Sequence, residues 1–466
     1  MPVLSEKPEY KLLSKYKPGS LPELMLIAFP LMLSFLSGNL MFFFDRLIMA
    51  SYSLDAMNAI SIAGIIAAVL QYAPIGIAGI AEVFVGQYNG AKEYKKIAKP
   101  VWQMIYFALL FSIICFPVAQ FAGPYLIAKD YEELGLPFFK LIVSFAWLMP
   151  LYAALTSFYI GRGKVIFVTI VSIIANVINL VLDIVLVFGV ADIIPSMGTK
   201  GAALATITAQ IIQVLILLIG FFSKAHIQEF GVLDYKFDKA LFFKCLKIGL
   251  PTTIAHFIEI AAWAFLLNIV AIYSALYLTV ITIGQNILIL LAFVNDGLSR
   301  AVTTVASNII GAKFKKIKMN LLLLKRLNVT MYKLQVLISL FAGLFLIIFH
   351  NILIQAFIGS DAYSMEYDML LDILNKTLIW IWLYILIDGC VWANVGLLTA
   401  AGDTKFIMLV NGLTVWVVAV LPITILIYYY NIGPDKIWIF NVLYALVGLA
   451  CYILRIKYKG IFKRLV

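Results

Sequence analysis

Apolar runs of membrane-spanning length recur twelve times along this chain, and little of it lies outside them. They fall near 21–43, 56–86, 101–123, 134–160, 165–189, 200–222, 248–273, 277–310, 330–352, 373–398, 405–430 and 436–455. A helix needs about 20 apolar residues to cross a bilayer. The fold class this predicts is an all-α membrane protein with twelve transmembrane helices. The runs 56–86 and 277–310 are long enough to tilt or to project beyond the bilayer. Composition agrees: 64% of residues are apolar and 13% charged, with a mean hydropathy of +1.02. Soluble domains hold about 45–50% and about 25%. A soluble globular domain, a nucleic-acid-binding module and a disordered chain are all excluded.

The chain carries little of the equipment of an enzyme. Cys115, Cys245, Cys390 and Cys451 show no CxxC spacing and read as buried small hydrophobes. His226, His256 and His350 form no HExxH metal motif. Neither a GxSxG nucleophile elbow nor a Walker A loop occurs. We therefore expect no catalytic residues, no cofactor, no metal-ligand set and no ATPase of its own.

Basic residues sort by loop parity. One set of loops holds Lys92, Lys95, Lys96 and Lys99; Arg162 and Lys164; Lys224, Lys236, Lys239, Lys244 and Lys247; and Lys313, Lys315, Lys316, Lys318, Lys325 and Arg326. The same side takes Lys7, Lys11, Lys15 and Lys17 at the start, and Arg455, Lys457, Lys459, Lys463 and Arg464 at the end. The other set has only Lys129, Lys200, Lys376 and Lys436, amid acids such as Asp130, Glu132, Glu133, Asp361 and Glu366. The positive-inside rule then puts both termini in the cytoplasm. A multi-pass protein of the cytoplasmic membrane follows, and residues 1–20 lack the apolar core of a cleavable signal. The net charge of +11 is explained by topology and by attraction to anionic membrane lipid, with no nucleic acid required.

An internal repeat divides the chain. Ile-Ala-Phe-Pro30 and Ile-Gly-Leu-Pro251 open the first and seventh runs; Gly90-Ala91-Lys92 and Gly311-Ala312-Lys313 follow the second and eighth. Both pairs are 221 residues apart. Six helices per repeat, an even number, relate the halves by an axis along the membrane normal, a plan that places substrate near the midplane between them. The expected domains are a cytoplasmic tail 1–20, a six-helix bundle 21–223, a basic linker 224–247, a second bundle 248–455 and a basic tail 456–466.

Ionisable groups at bilayer depth are functional hypotheses by default, because burying each costs roughly 2.5–3.5 kcal/mol or more. Asp45 lies near the end of the first run, with Arg46 beside it as a possible neutralising partner, and Glu82 lies in the second. Ser172, Asn176, Asn179 and Asp183 share one face of the fifth. His256, Glu259 and Trp263 share a face of the seventh; Tyr384, Asp388 and Trp392 share one in the tenth. Asp296 and Arg300 in the eighth stand four apart and are expected to pair with each other. Structural alternatives are a solvated helix end for Asp45, an interfacial belt for Trp263 and Trp392, and helix glue for Asn176 and Asn179. A surplus of acids beside aromatic faces favours lipophilic organic cations through cation–π contact. A buried carboxylate trades a proton near neutrality or, with Asn and Thr oxygens, holds Na⁺.

These residues resemble the multidrug and toxic compound extrusion (MATE) transporters over nearly the whole chain. The Pro30 to Asp45 spacing is similar to the family's first span. Glu82-Val-Phe-Val-Gly-Gln-Tyr-Asn-Gly90-Ala91 resembles its second. Asn179-Leu-Val-Leu-Asp183 and Gly201-Ala-Ala-Leu-Ala-Thr206 look like its fifth and sixth. Pro251 followed by Glu259 resembles the seventh, and Asp388 followed by Ala401-Gly402-Asp403-Thr404 the tenth and its exit turn. The resemblance implies two six-helix bundles around a V-shaped central cavity, and antiport of small organic cations against H⁺ or Na⁺ by alternating access. It assigns ion coupling to Asp45, Asn179, Asp183 and Thr206, with Na⁺ an alternative occupant of the first three. It assigns substrate cations to Glu259 and Asp388, which Trp263, Tyr384 and Trp392 would steady. Glu82 and Asp296 remain as further intramembrane acids. A monomer is expected. The rivals are a lipid-linked saccharide flippase of the same superfamily, a major-facilitator transporter, and an intramembrane enzyme or channel. The acid surplus speaks against the first, the Gly90-Ala-Lys-Glu-Tyr-Lys-Lys loop against the second, and the lack of a catalytic pair or filter motif against the third.

Overall fold

Inside a bilayer the backbone must satisfy its own hydrogen bonds, and long continuous apolar runs do so as helices. The computed structural model describes residues 13–127, 129–190, 193–312, 317–358, 365–459 and 465–466. Lys7, Lys11, Lys313, Lys315, Lys316, Asp361, Lys463 and Arg464, named above for topology, lie outside them. The first half contains α1 (Leu21–Tyr52), α2 (Leu54–Gly79), α3 (Ala81–Gly90), α4 (Ala98–Phe121), α5 (Gly123–Leu126), α6 (Glu132–Ser144), α7 (Leu148–Ile160), α8 (Val165–Phe188) and α9 (Gly198–Phe221). After a short helix α10 (Lys224–Phe230) come α11 (Lys239–Tyr273), α12 (Ala275–Gly311), α13 (Ile317–Ile358), α14 (Met365–Ala400), α15 (Thr404–Thr414), α16 (Leu421–Tyr430) and α17 (Pro434–Lys459). α11 thus begins inside the stretch read as a linker.

Eleven described helical segments are long and apolar enough to cross a membrane, and the bent pair α6–α7 supplies a twelfth span. Its 40° bend falls just before Pro150, whose ring clashes with the carbonyl four residues back, Ala146. In the eleventh span a π turn, Val415–Val420, joins α15 to α16 next to Pro422. α2 and α3 together run 37 residues, about 55 Å at 1.5 Å per residue, so this span projects beyond the hydrocarbon layer. Exposed Ile113, Phe116 and Phe121 on α4 suit a lipid-facing surface.

The two halves pack as pseudo-symmetric lobes. In the first, α8 lies between α1 and α9, and α2 packs on α6 and α7; in the second, α14 lies between α12 and α17, and α11 packs on α15. The seam between lobes is built from α1 against α12, α3 against α12, and α2 against α11. Its contacts obey the 221-residue repeat. Gly90 lies against the carbonyl of Asn308, and Gly311 against that of Gln87; at either glycine a Cβ would stand 2.0 Å from that oxygen. Gly76 meets Thr253 as Gly297 meets Met32, and Gly86 meets Ser307 on the pseudo-axis itself. Gly86 and Gly90 on α3, facing Ser307 and Gly311 on α12, form small-xxx-small surfaces that let the backbones touch.

Polar bonds reinforce this seam. The Asn308 amide donates to the Gly161 carbonyl at 2.8 Å and accepts from Asn89 at 2.7 Å. Fully buried Gln87 donates to the Ala400 carbonyl at 3.0 Å and accepts from the Leu465 N–H at 2.8 Å. These bonds lie at the end of the molecule that carries the basic loops. Toward the other end the lobes diverge around a V-shaped cleft.

Candidate functional site: two carboxylate centres, one in each lobe

The N-lobe centre forms where α1, α8 and α9 meet. The spacing that put Ser172, Asn176, Asn179 and Asp183 on one face of α8 turns that face into the lobe, and Ser172, Asn179 and Asp183 are buried. Ser172 bonds Tyr152 at 2.9 Å, and Asn176 donates to Ser37 of α1 at 2.7 Å, which is the helix-joining role. One turn further on, Asn179 donates to Thr206 Oγ1 of α9 at 3.5 Å, and the carboxyl groups of Asp183 and Asp45 face each other. All four residues assigned to ion coupling therefore come together. Arg46 does not join them. It follows Asp45 by one position, about 100° around the helix, and is exposed. Asp45 is half-buried and is no solvated helix end.

Four oxygen atoms in this centre are buried and lack a hydrogen-bond donor among the described residues: Asp45 Oδ1, Asn179 Oδ1, and both carboxylate oxygens of Asp183. Orphaned buried acceptors are rare in folded proteins and signal a missing proton, ion or water. The donor set of two carboxylates, an amide carbonyl and a hydroxyl is all oxygen, which fits a hard cation or a shared proton.

The C-lobe centre forms where α11, α12, α14 and α17 meet. Glu259 accepts from the Tyr444 hydroxyl at 3.3 Å, with Trp263 one turn further along α11 beside it. Trp263 also packs edge-on to Tyr444, with ring centres 6.1 Å apart. Asp388 accepts from Asn295 at 3.1 Å and has Tyr384 beside it. Asn295, Asp296, Tyr384, Asp388 and Trp392 line a cavity of about 200 Å³. Trp392 stacks on His256 at 5.6 Å and 15°. Both tryptophans thus sit at the carboxylates, away from any interfacial belt. Tyr444 and Asn295 were missed by sequence reasoning. The available signal was a polar pair, Asn441 and Tyr444, three apart in the apolar middle of α17.

Two residues depart from expectation. Arg300 does not pair with Asp296. Its Nε donates to Glu82 Oε2 at 2.8 Å, across the seam between lobes. Thr304 Oγ1 donates to Glu82 Oε1 at 2.7 Å, and Arg300 Nη2 reaches Thr156 Oγ1 at 3.5 Å. Glu82, which is more deeply buried and accepts two charge-assisted bonds, outcompetes the half-buried i,i+4 partner. Glu82 is therefore an inter-lobe contact, and Asp296 is left facing the cavity.

Comparison with known proteins places this architecture. The model of the MatE family matches residues 30–185 and 251–425, so its two copies start at Pro30 and Pro251, the prolines of the internal repeat. The chain is similar to the probable multidrug resistance protein NorM of Thermotoga maritima, with 24% identity over 90% of this chain and 88% of that one. It is 26% identical to the protein of the same description from Oceanobacillus iheyensis, over 89% and 91%. Among solved structures it resembles a MATE family transporter described in an outward-facing conformation, with a TM-score of 0.83 and 15% identity over 96% and 98% of the chains. It also resembles a Pyrococcus furiosus transporter of the MOP superfamily whose binding pocket is described as reversed in polarity, at 0.82 and 15% over 97% and 98%. A multi-pass membrane protein with two-lobed helical architecture and a doubled MatE signature, this chain belongs to the MatE family.

Proposed function

We propose that this protein is a secondary active multidrug antiporter of the cytoplasmic membrane. It exports lipophilic organic cations in exchange for H⁺ or Na⁺, works as a monomer with both termini in the cytoplasm, and uses no cofactor. The single observation that carries this reading is the cluster of four partnerless oxygens on Asp45, Asn179 and Asp183. Two carboxyl groups facing each other, with no basic partner among the described residues, are unfavourable when both are charged and dry. A proton or Na⁺ between them relieves this, and its arrival and departure would reshape the packing of α1 against α8. The second centre suits the exported cation: Glu259 and Asp388 supply charge, while Trp263, Tyr384 and Trp392 supply aromatic faces.

The positive-inside assignment makes the closed, basic end of the seam cytoplasmic. The structure then corresponds to an outward-open state, in which substrate leaves and the coupling ion enters. Alternating access would part the lobes along this seam and join them at the other end.

Export of a fluorescent organic cation from proteoliposomes, with H⁺ and Na⁺ gradients imposed separately, tests the proposal. Flux driven by one gradient and lost in Asp183→Asn and Glu259→Gln supports it and identifies the ion. Correctly inserted protein without flux under either gradient overturns it in favour of an anionic or lipid-linked substrate. Normal export by Asp183→Asn would sink the coupling assignment alone.

A further inference from the structure

Arg300 stands between two carboxylates that belong to different lobes. We propose that it is an exchangeable counter-ion: Glu82 holds it while the basic end of the seam is closed, and Asp296 receives it when the lobes part. This rests on the alternating-access reading above. Both oxygens of buried Glu82, on α3, are taken by α12, through Arg300 and through Thr304 one turn later. Thr156, the other residue that Arg300 reaches, also belongs to the N-lobe. Any motion that separates α3 from α12 therefore strips Arg300 of these partners together. Breaking a buried ion pair with nothing to replace it is strongly unfavourable, so a moving seam needs a second acceptor within reach.

Asp296 meets that need. It lies four residues before Arg300 on the same helix, with the acid N-terminal to the base, the favourable order for an i,i+4 pair. Side chains on a helix lean toward its N-terminus, so the Arg300 side chain is already directed at the turn that bears Asp296. Among the described residues Asp296 makes no hydrogen bond or ion pair, and it faces the cavity together with Asn295 and Asp388. The exchange has an electrostatic consequence. With the seam closed, Asp296 keeps its negative charge toward the cleft; with it open, Arg300 cancels that charge. One of the acids in the C-lobe cavity is thus switched by the state of the seam.

Labelling of a seam cysteine tests this without substrate or gradient. Ser307 is fully buried at the pseudo-axis. Ser307→Cys, in full-length protein whose four cysteines are replaced by alanine, is placed in nanodiscs and its rate of reaction with N-ethylmaleimide is measured. Glu82→Gln should raise the rate about fivefold or more, because the closed state loses its lock. Asp296→Asn should lower it about threefold or more, because the open state loses its acceptor, and Asp296→Glu should stay within about twofold of the parent. An unchanged or faster rate in Asp296→Asn, or an unchanged rate in Glu82→Gln, overturns the proposal. Absence of export by the parent protein under either gradient, with these rates as expected, would overturn the antiporter reading and leave the counter-ion exchange standing.

Discussion

The two lobes share a repeat but solve the problem of a buried carboxylate in opposite ways. In the N-lobe, Asp45 and Asp183 face each other beside Asn179 and Thr206, and four oxygens lack a donor among the described residues. In the C-lobe, Glu259 has Tyr444 and Asp388 has Asn295, and a cavity opens beside them. A site whose acceptors are already bonded to neutral donors tolerates being empty, as a site that releases a bulky cation must. A site with orphaned acceptors does not, and its packing must follow its occupant. On the proposed antiporter reading, coupling and cargo would be divided between halves of one repeat simply by where neutral donors are placed.

Separating ion from cargo gives the largest expected effect. Asp388→Asn should weaken equilibrium binding of an organic cation in detergent about tenfold or more, equivalent to about 1.4 kcal/mol. Asp183→Asn should leave that binding within about twofold while abolishing gradient-driven export. Equal loss of binding in both variants would break the comparison. Removing one neutral donor comes next. Tyr444→Phe leaves the Glu259 carboxylate without its hydroxyl partner, and titration calorimetry should find an affinity change of about fivefold, from a hydrogen bond worth about 1 kcal/mol. No change would mean that Tyr444 merely fills space.

The smallest effect concerns α10, between the lobes. Arg162 lies over the rings of Phe158 and Phe230 at 3.8 and 4.2 Å and contacts His226, which also bonds the Gly220 carbonyl. Burial, then the charge of Arg162, hold the His226 imidazole below its usual range. The folded protein therefore binds this proton less readily than the unfolded chain. The resulting stability is present above about pH 6.5 and is lost as pH falls below it. Between pH 7.5 and 5.5, His226→Gln should flatten the Tm profile by no more than about 2 °C. An unaltered profile would show that the docking of α10 is indifferent to this proton.

Much of this architecture was legible because bilayer burial writes itself into sequence as long apolar runs, and because two prolines and two Gly-Ala-Lys strings kept their spacing. The α8 face was legible for the same reason: Ser172, Asn176, Asn179 and Asp183 lie at helical spacing in an otherwise mostly apolar helix. What failed was the choice of partners. The Asp296–Arg300 pair looked local, yet Arg300 bonds Glu82, 218 residues away; periodicity sees neighbours along one helix and is blind to a second helix that arrives from the other lobe. Arg46 failed as a partner for Asp45 because adjacent residues on a helix diverge. Tyr444 escaped notice because a single polar pair, Asn441 and Tyr444, is too short a pattern to stand out in an apolar run.

The glycine seam has a thermal consequence. Gly90 and Gly311 bring backbone against backbone, with carbonyl oxygens rather than interleaved side chains at the contact. Parting such surfaces wets mostly peptide groups, and it is newly wetted hydrocarbon that raises heat capacity. The glycine contacts should therefore add little to the heat capacity of opening, and any curvature in an Arrhenius plot of turnover should come from the apolar residues, such as Phe84 and Val305, that share the buried core of this seam.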